Sequence, residues 1–162
     1  MLEYLLSLLF AGLLVALGMV AVGRGLVPGP VSRGPVVLLT LIWAAGVAFM
    51  TLRPGSGLGV RLNLVPLQFD GRGSAVDAVL NVFVFVPLGL LLVLAGARIL
   101  TVFGIALATT LTIEITQYLL DDGRTADVND LITNTAGALL GAVLMLGVRA
   151  LARRRIRPAP AP

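Results

Sequence analysis

Five long apolar stretches constrain the fold of this chain more than any other feature of its sequence. They cover residues 4–22, 35–52, 75–96, 99–120 and 129–151. A bilayer core about 30 Å thick is crossed by roughly 20 apolar residues of helix, and each stretch meets or approaches that length. Apolar residues make up 58% of the 162-residue chain, which leaves little sequence for a soluble domain. We therefore predict an all-α integral membrane protein, a bundle of about five transmembrane helices.

The N-terminal stretch is predicted to be a retained helix rather than a signal peptide. The residues before it, Met1, Leu2 and Glu3, carry no positive charge, and the first arginine, Arg24, follows the apolar run. A signal peptide has a positively charged region ahead of its apolar core. The first helix therefore counts as one of the five predicted spans.

The distribution of arginine predicts the orientation in the membrane. Five spans place the two chain ends on opposite sides. The side that holds the C-terminus carries Arg24, Arg33, Arg98, Arg149, Arg153, Arg154, Arg155 and Arg157, and the other side carries Arg53, Arg61, Arg72 and Arg124. Because cytoplasmic loops are enriched in Lys and Arg, we expect a multi-pass protein of the cell membrane with its N-terminus outside and its C-terminus in the cytoplasm.

The chain divides into three predicted regions. Residues 1–60 hold two N-terminal transmembrane helices, residues 61–148 hold a core with helices three to five, and residues 149–162 form a basic cytoplasmic tail, which we expect to be disordered. Between helices two and three, residues 62–69 are apolar but too short to span a bilayer. We predict that this piece is a short interfacial or re-entrant segment.

The residue types that are missing exclude several kinds of site. The chain has no histidine, cysteine or lysine, which excludes a Ser-His-Asp triad, a cysteine nucleophile, a Schiff-base lysine and a Cys/His zinc site. We predict no dedicated metal site and no established cofactor. The basic tail beside a membrane helix is a topology signal attracted to anionic lipid, so nucleic acid is not an expected partner.

A polar run between residues 114 and 134 is the predicted functional site. It holds five of the eight carboxylates of the chain and one arginine, at the junction of the fourth and fifth stretches. At 1.5 Å per residue, Asn81, Glu114 and Asn134 each lie roughly 8–9 Å in from the same membrane face. Ionisable groups at that depth are rare and mark functional sites by default. The predicted catalytic residues are Glu114, Arg124 and Asp127, and the predicted ligand-binding residues are Asn63, Asn81, Gln117, Asp130 and Asn134.

Structural roles compete with the functional ones for several of these residues. Asp127 and Asp130 have the spacing of a helix N-cap with an acid three residues later, which resembles a capping box. Arg124 either forms a salt bridge with a neighbouring aspartate or donates to a phosphate or carboxylate of a ligand. Glu114 lies inside an apolar span, where an unpaired charge is costly, so the functional reading is favoured for it.

Four short motifs identify the chain as similar to a known family. They are NLVPL from Asn63, NVFVFVPLG from Asn81, ExxQ from Glu114 and RxxDVNDLxxNxxG from Arg124. In this order they resemble the VanZ-like membrane protein family, over roughly half of the chain, from residue 63 to residue 141. The resemblance implies an association with lowered sensitivity to the glycopeptide antibiotic teicoplanin, and it implies no particular reaction.

Three functions remain open at this point. The favoured one is a cell-envelope protein whose outward-facing acidic and arginine-bearing pocket binds a lipid-linked wall precursor or a glycopeptide, with the lipid bilayer as its other partner. The alternative is a membrane enzyme of phosphate or glycosyl chemistry on a lipid-linked substrate, with Mg²⁺ held by carboxylates and Glu114 as general base. A proton-coupled transporter is the third, and it is disfavoured because five spans without an internal repeat do not suit repeat-built transporters.

Overall fold

The computed structural model describes residues 2–27, 29–55, 61–68, 71–121 and 123–154. Within these ranges it has five helices, namely α1 (Leu2–Leu26), α2 (Arg33–Thr51), α3 (Gly71–Leu94), α4 (Ile99–Leu120) and α5 (Val128–Arg154). All five are long and apolar enough to cross a membrane. Many of their large apolar side chains are exposed, including Leu8, Leu100 and Leu119, as expected for surfaces that face lipid. The predicted all-α membrane bundle is confirmed.

Helix α5 runs further than the predicted boundary at residue 149. It continues to Arg154, so the first part of the predicted disordered tail is helical. The physical reason is that Arg, Ala and Leu, which make up residues 149–154, are good helix formers and extend the span without a break. The Pro-rich end that we expected to be disordered lies outside the described residues.

Helices α3 and α5 form the closest pair in the bundle, because glycines let their backbones approach. A Cβ atom at Gly141 would collide with the carbonyl oxygen of Val86, and one at Gly137 would collide with that of Val82. From the α3 side, Gly89 lies against the carbonyl oxygen of Ala138 in the same way. The small-xxx-small pattern of α5 thus acts as a contact surface, in keeping with helix packing in membranes.

Helix α1 packs against both helices of this pair, and α2 packs against α3. The indole of Trp43 in α2 meets the ring of Phe85 edge to face, with centroids 5.2 Å apart. Its Nε1 atom also donates to the carbonyl oxygen of Val84 at 2.8 Å. Leu17 and Ala21 of α1 are buried in the same apolar core. These contacts bring the two N-terminal helices against the region that carries the polar residues.

The segment between α2 and α3, of which we call residues 62–68 the extended segment, begins with a short strand and then turns at Leu67, where φ is 59°. The two-residue strand, β1 (Leu62–Asn63), pairs in parallel with β2 (Ala126–Asp127), which lies directly before α5. Sequence reasoning predicted the segment and its place beside the polar residues, but not the strand pairing. Leu62, Leu64, Val65 and Leu67 are exposed, and the first two also line a cavity against α4.

Candidate functional site

The loop after α2 and the loop after α4 meet at one end of the bundle. The sequence predicted that the arginines of these loops lie on the same side of the membrane. The guanidinium of Arg61 lies 3.2 Å from the Asp121 carboxylate and donates to the carbonyl oxygen of Tyr118 at 2.9 Å. Arg124 Nε donates to the carbonyl oxygen of Arg53 at 2.6 Å. The loop after α2 and the loop after α4 are therefore in direct contact, and the prediction that they lie on the same side is confirmed.

Asp127 is the N-cap of α5, as predicted. Its Oδ1 atom accepts a hydrogen bond from the backbone N–H of Asn129 at 2.8 Å, which satisfies one of the free donors of the first helical turn. Its Oδ2 atom accepts from the side-chain amide of Asn63 at 3.1 Å. Asn63 thus steadies the cap from the extended segment.

The predicted capping box is wrong in one of its two hydrogen bonds. Glu114, and not Asp130, accepts the backbone N–H of the cap residue. In a capping box, the acid three residues after the cap accepts the backbone N–H of the cap residue. Here that N–H, from Asp127, donates to Glu114 Oε2 at 2.8 Å. Asp130 instead accepts from the side-chain amide of Asn81 at 2.7 Å. Glu114, only 5% exposed, therefore joins α4 to the start of α5.

Asn129 was not predicted as a site residue, yet it holds the extended segment in position. Its Oδ1 atom accepts from the backbone N–H of Leu67, and its Nδ2 atom donates to the carbonyl oxygen of Val65 at 3.2 Å. Nδ2 also donates to Asp127 Oδ1 at 2.9 Å. The sequence signal for Asn129 is its position two residues after the N-cap aspartate, within the motif that begins at Arg124.

Arg124 bonds to backbone carbonyls rather than to acids. Besides Arg53, it donates through Nη2 to the carbonyl oxygen of Met50 at 3.2 Å. The last carbonyls of a helix have no partner within the helix, so Arg124 caps the C-terminal end of α2. Within the described ranges Arg124 forms no ion pair, and the predicted hairpin salt bridge is wrong for these residues. The neighbouring Asp122 lies outside them.

Two more buried amides connect the helices. Gln117 Nε2 donates to the carbonyl oxygen of Thr51 at 2.8 Å, which ties α4 to the end of α2. Asn134 Nδ2 donates to Thr110 Oγ1 at 2.8 Å, which ties α5 to α4. Among the described residues, three buried side-chain atoms have no hydrogen-bond partner, namely Asn134 Oδ1, Arg53 Nε and Thr135 Oγ1. Buried polar atoms are nearly always hydrogen-bonded, so each of these atoms has an unused hydrogen bond.

Six of the eight predicted residues line one cavity of about 650 Å³, which we call the main cavity. Its polar side carries Asn81, Glu114, Gln117, Arg124, Asp130 and Asn134, together with Arg53. The rest of its wall is mainly apolar and comes largely from α1 and α3, through Phe10, Ala11, Leu14, Val15, Phe83 and Val84. The contribution of α1 was missed, because its residues carry no polar signal that distinguishes them from other lipid-facing ones.

A second cavity of about 510 Å³, the mouth cavity, adjoins the main cavity. The two share Leu80, Asn81, Arg124 and Asp130, and the mouth cavity is also lined by Asp77 and Asp127. Asp127 thus lies beside the main cavity rather than in it. Asn63 lines neither cavity and donates a hydrogen bond to Asp127. Among the described residues no group of three or more acids is close enough to hold a metal ion, so a cation here would have one or two carboxylate ligands, as Mg²⁺ often does.

Comparison with known proteins identifies the family. A family model described as VanZ/LLP1 matches residues 36–151, a range that includes all eight candidate residues. Protein VanZ of Enterococcus faecium is 37% identical over 116 residues, which cover 68% of this chain and 70% of that protein. No solved structure matches the chain. This five-helix membrane protein belongs to the VanZ/LLP1 family.

Proposed function

We propose that this protein is a binding protein of the cell envelope whose main cavity receives the polar head of an amphipathic ligand, either a lipid-linked wall precursor or a glycopeptide antibiotic. The observation that carries the proposal is the composition of that cavity. One side holds two acids, two arginines and three amides, and most of the remaining wall is apolar. Ligand sites are mostly apolar concavities with a few converging polar groups, and this cavity fits that description.

The polar side of the cavity suits a head rich in amides and hydroxyls. Asn134 Oδ1 is an acceptor without a donor, and Arg53 Nε is a donor without an acceptor. Peptide amides and sugar hydroxyls both donate and accept, so such a head can pair with the acids, amides and arginines that line this side. Wall precursors and glycopeptides both carry amide and sugar groups. The association of VanZ-like proteins with lowered teicoplanin sensitivity supports the same choice.

Both of the main catalytic candidates make structural hydrogen bonds. Glu114 Oε2 accepts the backbone N–H of Asp127, and two nitrogens of Arg124 donate to carbonyl oxygens of α2 and the residue after its C-cap. A general base or a phosphate-binding arginine must also reach the substrate, and only the second oxygen of Glu114 and the third nitrogen of Arg124 are left for that. Binding does not require this second role of either residue, and we favour it over catalysis for that reason.

The test compares an aspartate that lines the cavity with one that does not. Asp130→Asn changes a residue that lines both cavities, and Asp121→Asn makes the same chemical change at an exposed residue of the same end. We expect Asp130→Asn to weaken binding about tenfold, since a hydrogen bond to a charged group contributes about 1.5–3 kcal/mol. Binding of a labelled lipid-linked precursor and of teicoplanin to the protein in nanodiscs is the measurement.

Several results of this experiment would count against the proposal. Binding of neither probe to the wild-type protein would overturn it, and so would equal affinities for the two variants. Release of product from the labelled precursor, dependent on Mg²⁺ and on Glu114, would establish the enzyme alternative instead. Teicoplanin susceptibility of a sensitive host that expresses each variant gives the matching readout in cells.

A further inference from the structure

The main cavity continues into an apolar groove between α1 and α3. A third cavity of about 510 Å³, which we call the groove, shares Val15 and Gly18 with the main cavity. Its other lining residues are Met19, Val22, Gly23 and Leu26 of α1 and Leu90 of α3. The two cavities together follow α1 from Ser7 to Leu26, which at 1.5 Å per residue is roughly 28 Å. That length is close to the thickness of the hydrocarbon core.

The groove is open space rather than a packed helix contact. A Cβ atom added at Gly23 would meet nothing within 4 Å, and one at Gly18 would meet only the end of the Leu90 side chain, at 3.9 Å. Val15 and Met19 along it are 60% and 65% exposed. The groove is therefore open sideways, toward the surface where the bundle faces lipid.

We propose that this groove holds the hydrocarbon chain of the ligand whose polar head occupies the main cavity. The inference rests on the proposed function and adds the path of the chain. A head in the main cavity beside Asn134, inside the predicted fifth span, lies below the membrane surface, so its chain leaves the cavity inside the hydrocarbon region. The groove shares Val15 and Gly18 with the cavity, is lined only by apolar residues and glycine, and follows α1.

The groove selects its occupant by shape rather than by hydrophobicity. Lipid tails are as apolar as leucine, so a chain gains little free energy by moving from the bilayer into the groove. What the groove supplies is room beside α1 at the exit of the polar cavity. A long-chain ligand then enters sideways from the bilayer with its head already at the correct depth, and a blocked groove excludes it by steric conflict.

Two glycines of α1 offer a matched test. Gly23→Leu fills the groove beyond the main cavity, and Gly12→Leu adds the same side chain at a position that lines neither cavity; neither glycine has anything within 4 Å. The probes are the disaccharide-pentapeptide diphosphate with or without its polyprenyl chain, and teicoplanin with or without its acyl chain. Binding is measured in nanodiscs, and size-exclusion chromatography with light scattering reports the oligomeric state.

We expect Gly23→Leu to weaken binding of the probes that carry a chain at least tenfold and to leave binding of the chain-free probes unchanged. Gly12→Leu should resemble wild type. Equal binding by all three proteins would overturn the chain path while leaving the proposed function intact. Loss of both probes of a pair in Gly23→Leu would also overturn it, as would a change of oligomeric state showing that the groove receives a second copy of the chain. Failure of wild type to bind any probe would remove the proposed function, and this inference with it.

A photoreactive group at the far end of the long chain provides an independent measurement. In the wild-type protein we expect it to label peptides around Leu26 of α1, where the groove ends. A bulk phospholipid with the same group should label lipid-facing residues of all five helices. Identical labelling patterns for the two lipids would contradict the proposed path.

Discussion

At the scale of single residues, Asp127 and Glu114 connect three parts of the molecule. The Asp127 side chain caps α5 and accepts from Asn63, while its backbone N–H donates to Glu114 Oε2 at 2.8 Å. Glu114 thus supplies, from another helix, the acceptor that a capping box takes from its own third residue. Because Glu114 bonds the Asp127 N–H, the Asp130 carboxylate is not needed for the cap and instead bonds Asn81 and lines the two cavities.

The role of Glu114 as an acceptor gives a prediction for a pair of variants. Glu114→Gln keeps a side-chain oxygen for the Asp127 N–H, so its thermal stability in detergent should be close to wild type. Glu114→Ala leaves that buried N–H without its acceptor, which costs about 1–3 kcal/mol, and should unfold at a lower temperature. If the two variants were equally unstable, the charge of Glu114 rather than its hydrogen bond would hold the helices together.

At the scale of helices, the α3–α5 contact sets the geometry of the site. Asn81 belongs to α3 and Asp130 to α5, and their 2.7 Å hydrogen bond requires the two helices to lie close. The glycines of the contact make this possible. Backbone carbonyl oxygens of α3 lie against Gly137 and Gly141, in the space that a Cβ atom of any other residue would occupy. The polar pair at the cavity and the small-residue contact deeper in the membrane are two ends of one interface.

Two glycines of α5 test this interface. Gly141→Ala would push a methyl group into the backbone of α3 at Val86, whereas Gly147→Ala adds the same group where nothing lies within 4 Å. Overpacking costs typically about 1–3 kcal/mol, so Gly141→Ala should lower the melting temperature in detergent. Gly147→Ala should leave it unchanged or raise it, since alanine favours helix over glycine by up to about 1 kcal/mol. The interface would not be close-packed if both variants melted together.

At the scale of the whole molecule, most of the described acids lie at one end of the bundle, with Arg53, Arg61 and Arg124, and most of the described arginines lie at the other. Asp77, Asp121, Asp127 and Asp130 lie at the end where the polar loops meet, and Glu114 lies one step deeper. Arg98 precedes α4 at the opposite end, and Arg149, Arg153 and Arg154 belong to the last turns of α5. The positive-inside rule predicts that this arginine-rich end is cytoplasmic. The main cavity would then open toward the outside, where wall precursors and glycopeptides are met.

The absence of cysteine from the chain makes this orientation directly measurable. Leu64→Cys introduces a thiol in the extended segment, where the side chain is 68% exposed, and Arg98→Cys introduces one at the opposite end. We expect a membrane-impermeant maleimide to label Leu64→Cys in intact cells and Arg98→Cys only after permeabilisation. The reverse pattern would place the cavity on the cytoplasmic side and redirect the search to cytosolic ligands.

The five helices and the end of the bundle at which the polar residues gather could be predicted from sequence patterns, and the N-cap of α5 was one of two predicted roles of Asp127. These features are local, because a span is set by the length of an apolar run and a cap by residues within one turn. Asp127 could be recognised as a cap because its partner, Asn129, is two residues away. The candidate residues were found for the related reason that polar groups inside apolar spans need partners.

The partner of each polar residue, and the helix that closes the cavity, could be found only in the folded molecule. Glu114 and Asp127 are 13 residues apart, and Arg124 and Arg53 are 71 apart. Helix packing determines whether an acid, an amide or a backbone carbonyl lies beside a given polar side chain, and no local pattern in the sequence encodes that choice. The sequence does not show that α1 lines the cavity. Apolar side chains that face lipid and those that face a cavity have the same hydropathy, so the two cannot be told apart.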